Sequence, residues 1–288
     1  MRFDFIHRHR AVWPVTVMCR VLKVTRQGFY AWLTREPSAQ DNRRDELAEK
    51  AKQIHEQSDG TYGSPRVHQE LQAQGEACSE NTVASVMREH AIFAGQTKAF
   101  KPRTTDSNHD HPIAPNRLNG DFEASRPNEK WVSDITYLPT QHGWCYLATV
   151  MDLHSRRIVG WHVADHLKAE LVCAAIRMAL THRSPLPGLI FHSDRGVQYA
   201  SQQCRSLLRS HGMLQSMSRK GDCYDNAPME SWHGTLKRES VRKHIYADLA
   251  EARTAVFEYV EVFYNRWRRH SSLGYVSPQA FECEAIAA

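Results

Sequence analysis

The stretch WVSDITYL (residues 131–138) decides the fold, because it is an apolar run of β-forming residues with a carboxylate in its middle. A second apolar run, GLIFHSD (residues 188–194), indicates a buried strand that ends before Gly196. The two acids in these runs are Asp134 and Asp194. A carboxylate buried without a partner is costly, so a purely structural role fits Asp134 poorly. The two runs therefore predict neighbouring strands that carry acids of a functional site.

A third acid, Glu230, falls in the first turn of a helix predicted to open at the segment DNAP (residues 225–228). Three acids that converge without matching bases repel one another, and a divalent metal ion is the usual resolution. Two such ions beside a phosphodiester support phosphoryl transfer. Other acid pairs in this chain share the separation of Asp194 and Glu230, so the strand and helix context selects these three residues, and their spacing alone does not.

The region around these acids is predicted to be an α/β unit. Five strands are expected, at residues 131–138, 145–153, 157–164, 188–194 and 214–217. The first three form a meander, since only short turns separate them. Amphipathic patterns predict helices at residues 168–182 and about 200–211. The predicted fold class is a mixed five-stranded sheet with flanking helices, preceded by an all-α helix-turn-helix region.

Several long motifs resemble the integrase core of bacterial insertion-sequence transposases, in particular the second-frame product of the third insertion-sequence family. These motifs are NEKWVSDITY (128–137), MDL (151–153) with SRRIVGW (155–161), HSDRGVQY (192–199), CYDNAPMES (223–231), and YNRWRRHSSLGY (264–275) with Ser277-Pro278. The resemblance implies a ribonuclease-H-like fold, shared with retroviral integrases. It also implies an Asp-Asp-Glu site at Asp134, Asp194 and Glu230 that binds two Mg²⁺ ions, with Mn²⁺ as a substitute.

A basic residue seven positions after the glutamate belongs to the same family pattern, and Lys237 stands there. Seven residues advance a helix by nearly two turns, which puts Lys237 on the face of Glu230, about 10 Å along the axis. A cation at that place can hold a DNA phosphate. The alternative is an ordinary surface lysine.

Other polar residues near the site have structural interpretations. Asp152 is expected to stabilise a turn, and either Asp225 or Asn226 to cap the helix that carries Glu230. His192 and His233 flank the three acids, and we expect each to be a hydrogen-bonded histidine with no catalytic part.

Residues 14–33 have the pattern of a helix-turn-helix. Thr25 is expected to cap its second helix, with Phe29, Trp32 and Leu33 on the buried side. The start of a recognition helix contacts DNA in such motifs, and Arg26 and Gln27 stand there.

A second helix pair is predicted at residues 64–74 and 80–89, with Arg66 near its start as a DNA contact. The alternative for both pairs is that these short helices pack on the core or on a second subunit.

The C-terminal part has a helical pattern at residues 248–265 that ends in RWRRH (266–270). Basic and aromatic side chains in alternation suit DNA binding, which makes Arg266, Arg268 and Arg269 candidate contacts. A tail docked on the core has the same pattern. The predicted division is 1–40 helix-turn-helix-like segment, 41–94 second helical segment, 95–127 linker, 128–245 catalytic core, and 246–288 C-terminal helix with its basic tail.

Composition sets limits on the function. The 288 residues carry a net charge of +5 with a pI near 8.8, which permits nucleic-acid binding without requiring it. Seven cysteines form no Cys-x-x-Cys pair, which fits a reduced cytoplasmic compartment and argues against a structural zinc site. No signal peptide is evident and no apolar run approaches the ~18 residues of a membrane span, so no membrane partner is expected.

The sequence therefore predicts a bacterial, nucleoid-associated DNA transposase that cleaves element ends and transfers 3′-hydroxyls to target DNA. Its expected partners are the double-stranded ends and target, further copies of this chain on DNA, and an upstream-frame helix-turn-helix product, separate or fused. The alternatives are a nuclease of the same fold without strand transfer and a catalytically inactive DNA-binding regulator.

Overall fold

A five-stranded sheet lies at the centre of the computed structural model, which describes residues 2–36, 38–95, 111–219, 223–241 and 245–287. Its strands are β1 (Lys130–Thr140), β2 (Gly143–Asp152), β3 (Ile158–Ala164), β4 (Ile190–Ser193) and β5 (Leu214–Met217). The strand order is β3-β2-β1-β4-β5. Strands β1 to β3 are antiparallel, whereas β4 runs parallel to β1 and β5 parallel to β4. The predicted mixed sheet and its opening meander are confirmed.

The hairpin of β1 and β2 is longer than predicted. Its pairing runs from Trp131 opposite Asp152 to Thr140 opposite Gly143. Gly143 adopts a φ of 123°, which a residue with a side chain rarely reaches, so the strands can turn within two residues. The hydroxyl of Thr140 also donates to the carbonyl of Gly143, at 2.9 Å.

One face of the sheet is covered by α7 (Ala169–Arg183), α8 (Val197–Ala200) and α9 (Gln202–Ser210). Helix α7 approaches β3 at Gly160, where an added Cβ would lie only 2.2 Å from the carbonyl oxygen of Ala175. Glycine therefore lets backbone pack on backbone at this point. The helix predicted at about 200–211 is α9, and the short helix α8 precedes it. Ser201 lies between the two, and its hydroxyl accepts from the backbone N–H of Cys204.

The opposite face is covered by α10 (Ala227–Glu239) and α11 (Leu249–Phe257). The helix predicted at 248–265 has nearly the expected extent, but Glu258–Tyr264 is π-helical. After a short turn, α12 (Pro278–Ala287) returns to the edge of the sheet, where Glu282 pairs with Arg157 and Arg183. The C-terminal segment is thus part of the core's outer layer.

The second helical segment contains α4 (Ala39–Gln57), α5 (Ser64–Ala73) and α6 (Glu80–Glu89), which bury a small core of their own. The predicted pair is confirmed as α5 and α6. Ser38 opens α4 with a capping box in which it and Asp41 bond each other's backbone N–H groups. Phe263 and Trp267 from the C-terminal segment pack against this core, which joins it to the sheet unit.

Three helices form the N-terminal segment: α1 (Arg2–His9), α2 (Val15–Val21) and α3 (Arg26–Leu33). The hydroxyl of Thr25 accepts from the backbone N–H of Gly28 at 3.0 Å, which confirms the predicted cap. Phe29 is buried, and Trp32 lies on the same side of α3, where its ring stacks on that of Phe29 with centroids 6.2 Å apart. Trp32 keeps 38% of its surface exposed, so it lies at the edge of this small core.

The predicted linker at 95–127 is only partly described, since residues 96–110 lie outside the described ranges. Residues 111–127 pack on the sheet unit, where Leu118 is buried among core side chains and Asn116 donates to Asp225 at 3.1 Å. This half is therefore part of the core. Within the described ranges, no helix combines the length and the apolar character needed to cross a membrane.

Candidate active site

Asp134 lies in the middle of β1 and projects toward α10. Strand side chains alternate, and the hydroxyl of the preceding Ser133 meets that of Tyr199 on the other face at 2.9 Å. One carboxylate oxygen of Asp134 accepts from the N–H of Ile135 at 2.8 Å, and the other lies 3.3 Å from Nδ1 of His233 on α10. The side chain keeps 22% of its surface exposed. It is thus held in place and still open to a ligand.

Asp194 follows the last residue of β4, so the prediction that it closes the strand is one residue too long. The parallel register pairs Val132 with His192, and continuing it by two residues places Asp194 beside Asp134. Burial raises the pKa of Tyr199 well above its ordinary value, and the carboxylates of Asp134 and Asp194 contribute to this rise. Both carboxylates therefore lie near one phenol.

The backbone just after Asp194 fixes its carboxylate. Oδ1 accepts from the N–H of Gly196 at 2.9 Å. A Cβ at Gly196 would stand 3.0 Å from that oxygen, which is tighter than an ordinary contact. Glycine at this position therefore allows the carboxylate to fold back over the turn.

Glu230 stands in the first turn of α10, whose start is tied to β1. The side chain of Asn226 donates to the carbonyl of Ser133 at 3.3 Å, and a proline in the first helical turn suits the start of the helix. Glu230 is exposed, and it lies one turn before His233 on the same side of the helix. Because His233 contacts Asp134, this side of α10 faces the two aspartates.

His233 is a site residue that the sequence interpretation underrates. Its side chain is buried where α10 packs on β1 and β2. Nδ1 points toward Asp134, and Nε2 lies 3.4 Å from the hydroxyl of Thr149. The prediction of a hydrogen-bonded histidine is confirmed, but its partner is the central acid of the proposed site. The three-residue spacing from Glu230 is the signal in the sequence that indicates a shared helix face.

The three acids suit a hard divalent cation in kind, since Mg²⁺ prefers carboxylate oxygens. Among the described residues, however, no three His, Cys, Asp or Glu side chains are gathered closely enough to hold a metal ion. Extended past the end of β4, the parallel register brings the backbone of Asp194 toward that of Asp134, and the exposed Glu230 lies on the helix that faces Asp134. The residues therefore fit Mg²⁺ by donor type, whereas their side chains are not gathered into a complete set of metal ligands.

Two neighbouring polar residues have the structural roles predicted for them. Asp152 is buried and accepts from the N–H groups of Asn128 and His154, so it holds a turn. His192 is buried and bonded to the hydroxyls of Ser216 and Ser218. Burial lowers the pKa of His192 to about 4, which keeps its imidazole neutral near pH 7.

The prediction that Asp225 or Asn226 caps α10 is wrong. Asn226 occupies the cap position without a side-chain capping bond, because its amide reaches β1 instead. Asp225 is buried and accepts from the backbone and guanidinium of Arg219, which lowers its pKa. It also accepts from Asn116, so it ties three segments together.

The predicted DNA contacts fall into two groups. Arg26, Gln27 and Arg266 are exposed, and Lys237 is half-buried on α10, two turns beyond Glu230. These four stay predictions.

Arg268 and Arg269 are instead used within the fold. Arg268 is 4% exposed and makes two 2.7 Å bonds to Glu239. Arg269 pairs with Glu70 of α5 at 2.7 Å. Arg66 donates to the carbonyl of Arg269 at 3.0 Å and lies over the ring of Tyr62. Of the two alternatives for the basic tail, the structure shows the tail docked on the core, and we withdraw Arg268 and Arg269 as DNA contacts.

Family models match most of this architecture. Two models, each described as an integrase core domain, match residues 124–223 and 211–278, and one described as an HTH-like domain matches residues 42–100. The helix-turn-helix-like match thus falls on the unit of α4 to α6. Together with the sheet topology, the integrase matches confirm the predicted ribonuclease-H-like class.

Solved structures with a similar arrangement come from retroviruses. The simian T-cell lymphotropic virus intasome in complex with PP2A regulatory subunit B56 gamma has a TM-score of 0.47 at 15% identity, over 81% of this chain and 74% of that one. The HTLV-2 integrase catalytic core domain in complex with magnesium has a TM-score of 0.44 at 14% identity, over 56% of this chain and 99% of that one.

Sequence relatives match over the whole length. The chain is 40% identical to "Transposase InsF for insertion sequence IS3A" of Escherichia coli (strain K12) over 289 residues, which cover 100% of both chains. It is 43% identical to "Insertion element IS600 uncharacterized 31 kDa protein" of Shigella sonnei, over 92% of this chain and 97% of that one. This chain therefore belongs to the IS3 family of insertion-sequence transposases, with an HTH-like domain and an integrase core.

Proposed function

We propose that this chain cleaves DNA at the ends of an insertion sequence and joins the freed 3′-hydroxyls to target phosphates, with Asp134, Asp194 and Glu230 as its catalytic acids. The observation that carries this proposal is the parallel pairing of β1 with β4, whose register, extended two residues past Val132 and His192, supports a position of Asp194 next to Asp134. The hydrogen bond from Asn226 to β1 holds the start of α10, the helix that carries Glu230, against the same part of the sheet. Membership of a transposase family supports the same reaction class.

The chain's own residues would position the reacting groups. His233 orients the carboxylate of Asp134 from α10. Bound to these carboxylates, two Mg²⁺ ions, or Mn²⁺ in their place, would lower the pKa of water or a 3′-hydroxyl and stabilise the leaving oxygen. Gly196 and the N–H it donates would hold Asp194 against the turn while DNA enters.

Recognition of DNA would come from outside the acid site. The HTH-like unit supports binding of double-stranded element ends, and Arg26, Gln27, Arg266 and Lys237 are the proposed contacts. Pairing of two ends would need further copies of this chain on the DNA. We propose that the protein acts on bacterial chromosomal DNA, alone or with an upstream-frame product.

A product assay separates the three functions under consideration. Purified protein is incubated with Mg²⁺, a labelled element-end duplex and a target plasmid. Joined products support the transposase, cleavage alone a nuclease, and binding alone an inactive regulator.

Asp194→Asn is expected to abolish both cleavage and joining while DNA binding, measured by fluorescence anisotropy, stays within about twofold. Glu170→Gln is the matched control, because this exposed acid at the start of α7 should leave the products unchanged. Robust joining by Asp194→Asn would refute the assignment.

A further inference from the structure

Two neighbouring cavities lie along α10, outside the acid site. One, of about 310 Å³, lies between α10, the HTH-like unit and the C-terminal segment. The other, of about 410 Å³, lies between α10 and the turn that follows β2. Four residues line both cavities: Ser231, Thr235, His270 and Ser271. The two cavities therefore form one continuous groove.

Cationic side chains line this groove from both ends. Arg156 lines the larger cavity, and Arg66, Arg238 and Arg268 line the smaller one. Burial lowers the pKa of Arg156, and burial followed by the charge of Arg268 lowers that of Arg66. A guanidinium still stays charged at neutral pH, so these groups hold positive charge in a poorly solvated place.

Little negative charge offsets these arginines. Glu239 also lines the groove, but both of its oxygens are bonded to Arg268. Among the described residues, no carboxylate forms an ion pair with Arg156 or Arg66. The guanidinium of Arg66 donates to the backbone carbonyl of Arg269. Buried cations without a carboxylate to neutralise them are costly, which favours an anionic ligand.

Backbone strain marks the same place. Arg156 adopts a φ of 59°, in the left-handed region that residues with side chains rarely enter. Its carbonyl accepts from the hydroxyl of Tyr264 at 3.0 Å, which helps to hold this conformation. A strained residue held by its surroundings is a reason to look for a function of its side chain.

Neutral donors stand between the cations. The hydroxyls of Ser231, Thr235 and Ser271 line the shared part of the groove. Thr235 accepts from the guanidinium of Arg238 at 3.1 Å, and donates to the carbonyl of Ser231 at 3.0 Å. Thr235 thus orients Arg238, while the guanidinium groups and the hydroxyls of Ser231 and Ser271 are donors of the kind that bind phosphate oxygens along a nucleic-acid strand.

We propose that this groove binds backbone phosphates of the DNA strand whose end is processed at the acid site, with Arg156 and Arg66 as the two anchoring cations. The proposal rests on the proposed function for the identity of the strand. Ser231, Thr235 and Arg238 recur at helical spacing on the side of α10 next to that of Glu230. A strand held there passes beside the catalytic helix.

The first test uses inorganic phosphate as the ligand. Adding phosphate, against chloride at equal ionic strength, should raise the melting temperature of the wild type, because a ligand of the folded state stabilises it. Arg156→Gln or Arg238→Gln should remove at least half of that rise. Arg177→Gln, an exposed arginine on α7 across the sheet, is the matched control and should keep it.

The second test uses a duplex with a defined element end and measures affinity across a range of salt concentrations. Each lost phosphate contact should reduce the slope of log K against log salt by about 0.9. Arg156→Gln should show this reduction, Arg156→Lys should restore most of it, and Arg177→Gln should match the wild type.

The outcomes separate this inference from the proposed function. If Arg156→Gln and Arg238→Gln have the same salt-dependence slope as the wild type, the groove does not bind DNA phosphates. This outcome overturns the inference whether or not the protein joins DNA ends. Stabilisation by phosphate without a slope change would show an anion site that DNA does not use, and also overturns it. A reduced slope in a protein that never joins ends supports the groove and removes only the transposase assignment.

Discussion

Two arginines near opposite ends of this chain, both predicted to contact DNA, have opposite surroundings. Arg26 starts a short helix and is exposed, whereas Arg268 is buried, with both of its bonds on Glu239. Both are predicted DNA contacts, Arg26 because it starts a recognition helix and Arg268 because it alternates with aromatic residues. The difference shows that burial and carboxylate partners, which the sequence does not reveal, separate arginines that hold the fold from those available to DNA.

The largest expected effect on stability comes from replacing the buried Arg268. Arg268→Gln leaves Glu239 buried without its ion pair, and we expect the free energy of unfolding to fall by about 3–5 kcal/mol. Urea unfolding followed by tryptophan fluorescence measures this loss, with Arg177→Gln as the control expected within about 0.5 kcal/mol. A loss below about 1 kcal/mol would mean that Arg268 is not a structural arginine.

A pH effect is expected from His270, next to the same arginines. Burial lowers its pKa to about 4, and Arg268, Arg156 and Arg66 add to this lowering. The unfolded chain, with an ordinary value near 6.5, therefore takes up this proton first as the pH falls. The contribution of His270 to stability is complete above pH 6.5 and is lost between pH 6.5 and pH 4, by roughly 3 kcal/mol in total.

His270→Gln should flatten this part of the stability curve. Unfolding measured at half-unit steps of pH checks the effect, and His142→Gln, an exposed histidine on the β1–β2 turn, should reproduce the wild-type curve. Curves of the same shape for wild type and His270→Gln would contradict the crowded cationic environment of His270.

The smallest effect on stability is expected from replacing the exposed Arg26. Arg26→Gln should leave the free energy of unfolding within about 0.5 kcal/mol of the wild type. Its affinity for a duplex with the element end should fall by about 1–3 kcal/mol, and more than for a scrambled duplex, if the side chain reads a base. If affinity for the two duplexes falls equally, Arg26 contacts a phosphate and does not recognise a base of the element end.

Most of the strands could be predicted from the sequence because their apolar residues are contiguous and include β-branched types, whereas β5 has no β-branched residue. All five were located, and the helix 168–182 was misplaced by only one residue at each end. Helices α1 and α4 went unpredicted. Helix α4 buries only Leu47, Ala48, Ala51 and Ile54 in its nineteen residues, so its apolar pattern is faint. The capping box at Ser38 was the available signal.

The site could be predicted less completely than the fold. The acids are predicted from their strand and helix context, but the parallel pairing of β1 with β4 depends on contacts between distant segments. The contact of His233 with Asp134 has the same origin, since α10 must first pack on the sheet. Likewise, the π-helical turn at Glu258–Tyr264 comes from packing and leaves no mark in the apolar spacing.

The most direct measurement counts bound metal ions. Titration with Mn²⁺, followed by electron paramagnetic resonance in the presence of an element-end duplex, reports the ions held by each chain. Our account predicts two bound ions for the wild type and for Glu170→Gln, and loss of both in Asp134→Asn, because the Asp134 carboxylate is proposed to help bind both ions. An unchanged count in Asp134→Asn would contradict it.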